Sequence, residues 1–106
     1  MTPALRGVLD ELRKGLRPIY GERLKGVYVF GSYARGEASS DSDLDVLIVL
    51  DCVDAYSSEI KRTSHLIAQL SLNSGISLSR VFVPESDWLS GQTPFLLNVR
   101  EEAIPA

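Results

Sequence analysis

Two aspartates separated by one residue, Asp43 and Asp45, stand at the head of the most apolar run in this chain, Val46-Leu47-Ile48-Val49-Leu50. Side chains two apart on an extended strand share a face, so the two carboxylates project side by side while Leu44 points the other way, into the core. Like charges this close repel unless protonated or bridged by a cation. An all-oxygen pair suits Mg²⁺, which takes one or two carboxylates and completes its shell with water and substrate phosphate. Gly31-Ser32 precedes Asp43 with ten residues between. Gly31 lets backbone approach a ligand closely, and Ser32, opening a short helix, offers a hydroxyl beside free backbone N–H groups, which suits phosphate. Arg35, one turn on, could neutralise further phosphate charge, and a solvent-exposed arginine with no partner fits that position equally well.

These residues need elements to place them. Apolar residues at Leu5, Val8, Leu9, Leu12, Leu16 and Ile19 form a helical stripe, with Thr2 and Pro3 as cap and first-turn residue and with Pro18 and Gly21 ending the helix. Residues 24–30, rich in β-branched and aromatic side chains, read as a buried strand running directly into Gly31. Residues 46–50 read as a central strand covered on both faces, because the run is apolar without alternation. A second helix is expected over 54–73, with Tyr56, Ile60, Ile67 and Leu70 near one face and a stop at Asn73-Ser74-Gly75. A third strand is expected over 76–83, then short helices over 85–89 and 94–103. Strands alternating with helices predict an α/β domain around a small sheet.

The 106 residues suit a single domain, 1–106, with a modest core that a partner, in a homo- or hetero-oligomer, would help stabilise. Hydrophobic residues at 44% and charged residues at 24% exclude disordered, collagen-like and coiled-coil chains. The net charge of −3, with no dense block of Lys or Arg, argues against direct nucleic-acid binding. No apolar run approaches the roughly 20 residues that span a bilayer. With one cysteine, Cys52, and no signal-peptide core at the start, the expected setting is the cytoplasm, away from membranes.

The segment GSYARGEASSDSDLDVLIVL resembles the minimal nucleotidyltransferases of the DNA-polymerase-β-like superfamily, whose motif is Gly-Ser, ten residues, then Asp-x-Asp. Element order and chain length are similar across nearly all 106 residues. The resemblance implies an α/β (α+β) fold, a small mixed sheet with helices mainly on one face. It implies that Gly31, Ser32 and Arg35 hold nucleotide phosphates, and that Asp43 and Asp45 are the catalytic pair and bind Mg²⁺, as two ions. The implied reaction is attack of an acceptor hydroxyl on the α-phosphate of a nucleoside triphosphate, with ATP as substrate, AMP as the group transferred and pyrophosphate released. The implied partner is a HEPN-domain ribonuclease, modified on tyrosine, in a toxin and antitoxin pair.

Active members of that superfamily carry a third carboxylate on the next strand, whereas here Ser77 or Ser79 takes the expected place. A serine is a poor base at neutral pH and a weak metal ligand. Three explanations stand: Asp41, Glu37 or Glu85 substitutes; the acceptor supplies what is missing; or the chain binds nucleotide without efficient turnover. The alternative to an active enzyme is a degenerate domain acting as a nucleotide-binding or protein-interaction module. His65, mid-helix without a Cys or second His nearby, reads as a surface or half-buried residue, and Cys52 as a small buried hydrophobe. Trp88 and Phe95 either cover the sheet or form a partner surface.

Overall fold

Thr2 starts helix α1 (Pro3–Tyr20) by accepting from the Leu5 N–H at 3.2 Å, with Pro3 in the first turn. The helix runs through Pro18, contrary to the expectation that Pro18 helps end it. A proline this late forfeits one backbone bond, and it is Gly21, at φ +55°, that turns the chain out. The computed structural model describes residues 1–106. After a single 3₁₀ turn (Gly21–Arg23) come β1 (Leu24–Phe30), α2 (Ser32–Arg35), β2 (Leu44–Leu50), α3 (Tyr56–Ser74), β3 (Leu78–Pro84), α4 (Glu85–Ser90), α5 (Pro94–Glu102) and β4 (Ile104–Pro105).

The sheet is mixed, in the order β3-β2-β1-β4. β1 is antiparallel to β2 and β4, and β2 is parallel to β3. β2 is therefore central, and its residues from Val46 to Leu50 are all buried. Alternation splits them between two cores. Leu44, Val46, Ile48 and Leu50 pack with Leu5, Leu9, Leu12 and Leu16 of α1 and Ile67 of α3. Leu47 and Val49 pack on the opposite face with Val83 of β3 and Leu96 and Val99 of α5. The two long helices thus share one face, and the short α4 and α5 cover the other.

Several residues depart from their expected places. Tyr56 is 45% exposed, whereas Ile67 is buried and Ile60 and Leu70 pack against the same core as expected, with Glu59 and Thr63 buried beside them. Glu59 tolerates burial because its carboxylate accepts from the Tyr20 hydroxyl at 2.9 Å and from Arg62 at 3.2 Å, with Arg23 at 3.7 Å. Cys52 is exposed, because the chain leaves the sheet after Leu50. Trp88 covers the sheet by packing on Tyr28, ring centroids 4.7 Å apart, while Phe95 remains 43% exposed with its ring edge-on to Phe30. The two-residue β4 was not anticipated, since Ile104-Pro105 is too short to carry a pattern. It pairs with Tyr28 and Val29 of β1.

Candidate active site

The antiparallel register sets Phe30, the last residue of β1, opposite Asp45, the second residue of β2. The Gly31-Ser32 turn and the Asp-x-Asp triplet are therefore brought together from the ends of adjacent strands, with α2 and its following loop filling the interval. Leu44 is fully buried, as its position between the aspartates predicts. Gly31 sits at φ +74° and ψ −154°, a conformation open essentially to glycine alone. A Cβ at Gly31 would also run into the Asp45 carboxylate. Glycine is thus required there by the closeness of the strand pair, independently of any ligand.

Asp45 is half-buried on β2, and Asp43, one residue before the strand, is exposed. Burial first, then the charge of Asp43, pushes the Asp45 carboxyl above its ordinary value, with Arg35 opposing and Glu102 reinforcing the rise. No three His, Cys, Asp or Glu side chains converge on one point. The donor set is thus two carboxylates in mutual repulsion, which fits a Mg²⁺ that draws its remaining oxygens from phosphate and water.

α2 is one turn long, closed by the Arg35 N–H donating to the Gly31 carbonyl at 3.1 Å and the Glu37 N–H to the Ser32 carbonyl at 2.9 Å. So short a helix has little macrodipole, which leaves the Ser32 hydroxyl, the free backbone N–H groups of the first turn and the Arg35 guanidinium to meet an anion. Arg35 is not unpartnered: Nη1 donates to Glu102 Oε2 at 2.9 Å, and Nε lies 3.4 Å from Glu37 Oε1.

The parallel register pairs Asp45 with Ser79, so these two side chains face the same side of the sheet, and Ser77 lies before the strand begins. Of the carboxylates considered as substitutes, Glu85 follows the far end of β3, about 20 Å from Ser79 at the usual strand rise, and is out of reach. Glu37 is engaged with Arg35, and Asp41 lies exposed in the loop before β2. The carboxylate that does reach the site is Glu102, at the end of α5. Phe30, Gly31, Ser32, Arg35 and Asp45 form one side of a cleft of about 430 Å³, and Phe95, Asn98, Val99 and Glu102 of α5 form the other. The α5 wall has no signal in the sequence beyond the helical spacing of 95, 98, 99 and 102, which is indistinguishable from that of an ordinary surface helix.

Residues 9–82 match the nucleotidyltransferase domain family. A protein of Methanocaldococcus jannaschii provisionally named a protein adenylyltransferase is 31% identical over 94 residues, covering 89% of each chain. Protein adenylyltransferase MntA of Thermococcus cleftensis is 38% identical over 68 residues, covering 64% of this chain and 67% of its own. Among solved structures, a toxin-antitoxin crystal structure with AMP-PNP superposes with a TM-score of 0.64 at 22% identity, over 91% of this chain and 69% of that one, which shows a shared fold. No helix is long and apolar enough to cross a membrane. With its central strands, its Gly-Ser turn and its Asp-x-Asp all inside the matched span, the chain belongs to the nucleotidyltransferase domain family and is a nucleotidyltransferase.

Proposed function

We propose that this chain, acting as one domain over residues 1–106 in the cytoplasm, transfers AMP from ATP to a side-chain hydroxyl of a partner protein. The observation that carries the reading is the register of β1 on β2, which sets Gly31, Ser32 and Arg35 beside Asp45 in one cleft. The names of the relatives support protein as acceptor and AMP as the transferred group, and the AMP-PNP and toxin-antitoxin content of the structural neighbour supports ATP and a protein partner. A HEPN-domain toxin is the partner we assign.

In this reading Ser32 and Arg35 hold the phosphates, and Asp43 and Asp45 hold Mg²⁺ as two ions. Bound there, Mg²⁺ would neutralise phosphate charge and help clamp the attacking and leaving oxygens. The chain's own contribution is placement. The acceptor oxygen forms a bond to the α-phosphorus, the bond from that phosphorus to pyrophosphate breaks, and the hydroxyl proton passes to solvent or to a base on the acceptor. Ser79, the residue beside Asp45, is a poor base, so rate must come mainly from positioning and charge.

Ser79 also favours a second reading, a weakly active domain that neutralises its partner by contact. The test is transfer of label from α-labelled ATP to co-purified partner, in wild type and in Asp43→Asn, Asp45→Asn. Label that disappears in the double variant supports the transferase. Unlabelled partner, still bound and neutralised by the double variant, supports the contact reading.

A further inference from the structure

Arg35 is the only cation lining the cleft, and its guanidinium is committed to carboxylates: Glu102 at 2.9 Å and Glu37 at 3.4 Å. The Glu102 pair joins the two walls. Arg35 belongs to α2 beside the Gly-Ser turn, whereas Glu102 ends α5, whose Leu96 and Val99 pack on the sheet. The side chain of Glu102 is 22% exposed and that of Arg35 is 46% exposed, so the pair lies across the cleft within reach of solvent. Phe95 holds the start of α5 against Phe30 by an edge-on ring contact, centroids 5.8 Å apart. At the other end, the helix closes with the Ala103 N–H donating to the Val99 carbonyl at 2.8 Å.

Resting on the phosphate-cleft reading above, we infer that Glu102 is a built-in stand-in for phosphate. It occupies Arg35 in the empty enzyme and is displaced by the incoming nucleotide. The reasoning is electrostatic. A triphosphate offers several anionic oxygens to a guanidinium that can pair with one or two groups at a time, and phosphate is a strong bidentate partner for arginine. Once Arg35 turns to phosphate, Glu102 faces the phosphates and Asp45 without a counter-charge, an arrangement of like charges that repels. α5 itself stays in place: Leu96 and Val99 pack in the core, Arg100 donates to the Trp88 and Gly91 carbonyls, and Ile104 and Pro105 pair with β1 directly after the helix. What moves is the half-exposed pair of side chains, and Glu102 acts as a positioning residue through Arg35.

The test compares AMP-PNP binding, with Mg²⁺ present, in wild type and Glu102→Gln over a range of salt concentrations. Glutamine keeps the size and removes the charge. The expected result is binding about fivefold tighter in Glu102→Gln at low salt, the scale of an exposed ion pair, with the advantage shrinking as salt rises. Equal or weaker binding by Glu102→Gln, or an advantage that salt does not change, overturns the inference while leaving the cleft reading intact. Absence of binding in both proteins overturns both.

Discussion

Replacing Gly31 by alanine perturbs backbone and site together, and the structure separates the two effects. At φ +74° and ψ −154° a non-glycine residue is strained by about 1–3 kcal/mol. For a domain of this size each kcal/mol lowers Tm by roughly 4–8 °C. In addition, the new Cβ collides with the Asp45 carboxylate, which must move or tilt the strand end with it. A displacement near 1 Å at a reacting centre costs on the order of 10²-fold in rate. Gly36→Ala is the control: its φ of +72° brings comparable strain, of about 1–2 kcal/mol, but a Cβ there meets nothing within 4 Å. Thermal melts and transfer of label from α-labelled ATP, run on both variants, should show both destabilised and only Gly31→Ala stripped of activity. Wild-type activity in Gly31→Ala, or equal activity losses in the two variants, would refute the claim that the β1–β2 register makes the site.

Asp45→Asn should raise stability at neutral pH. Burial and Asp43 push the Asp45 carboxyl up in the folded chain, so the stability that its protonated form provides is present below the ordinary value of 3.8 and is lost as pH rises through the raised value. The advantage of the asparagine variant in denaturant melts should therefore vanish in acid below that value and shrink at neutral pH when Mg²⁺ is added; an advantage unchanged by pH would contradict the cause assigned. Ser79→Ala should leave transfer within about threefold, since a serine hydroxyl contributes little as a base, whereas loss of the 10²–10⁴-fold typical of a true general base would show that Ser79 serves as one. Glu59→Ala should cost about 1–3 kcal/mol in denaturant melts by leaving the buried Tyr20 hydroxyl unpaired, with AMP-PNP binding unchanged.

The parts of this site that could be read in the sequence are those set by local pattern. A short, β-branched apolar run without alternation reads as a strand covered on both faces, and on a strand the two aspartates of Asp-x-Asp share a face. The Gly-Ser turn is legible because a glycine at a strand end lets backbone approach a ligand and a serine after it suits the opening of a helix. What escaped were contacts made across the fold. Glu102 lies 67 residues from Arg35, and nothing in its helix distinguishes it from a solvated surface residue. The burial of Glu59 has no signal in the sequence, since a carboxylate is rarely buried and only the Tyr20 hydroxyl and two arginines permit it. Pro18 was read as a stop because proline breaks helix interiors, a rule that weakens in the last turn. The choice between Ser77 and Ser79 needed the parallel register of β2 on β3.

The most direct test of the central claim is which phosphorus of ATP reaches the acceptor. Partner protein incubated with the wild-type chain and Mg²⁺ is given ATP labelled at the α-phosphate in one reaction and at the γ-phosphate in the other. The account predicts label on protein from the α-position alone, with γ-label recovered as pyrophosphate. Label on protein from the γ-position would mean phosphoryl transfer, and would contradict it.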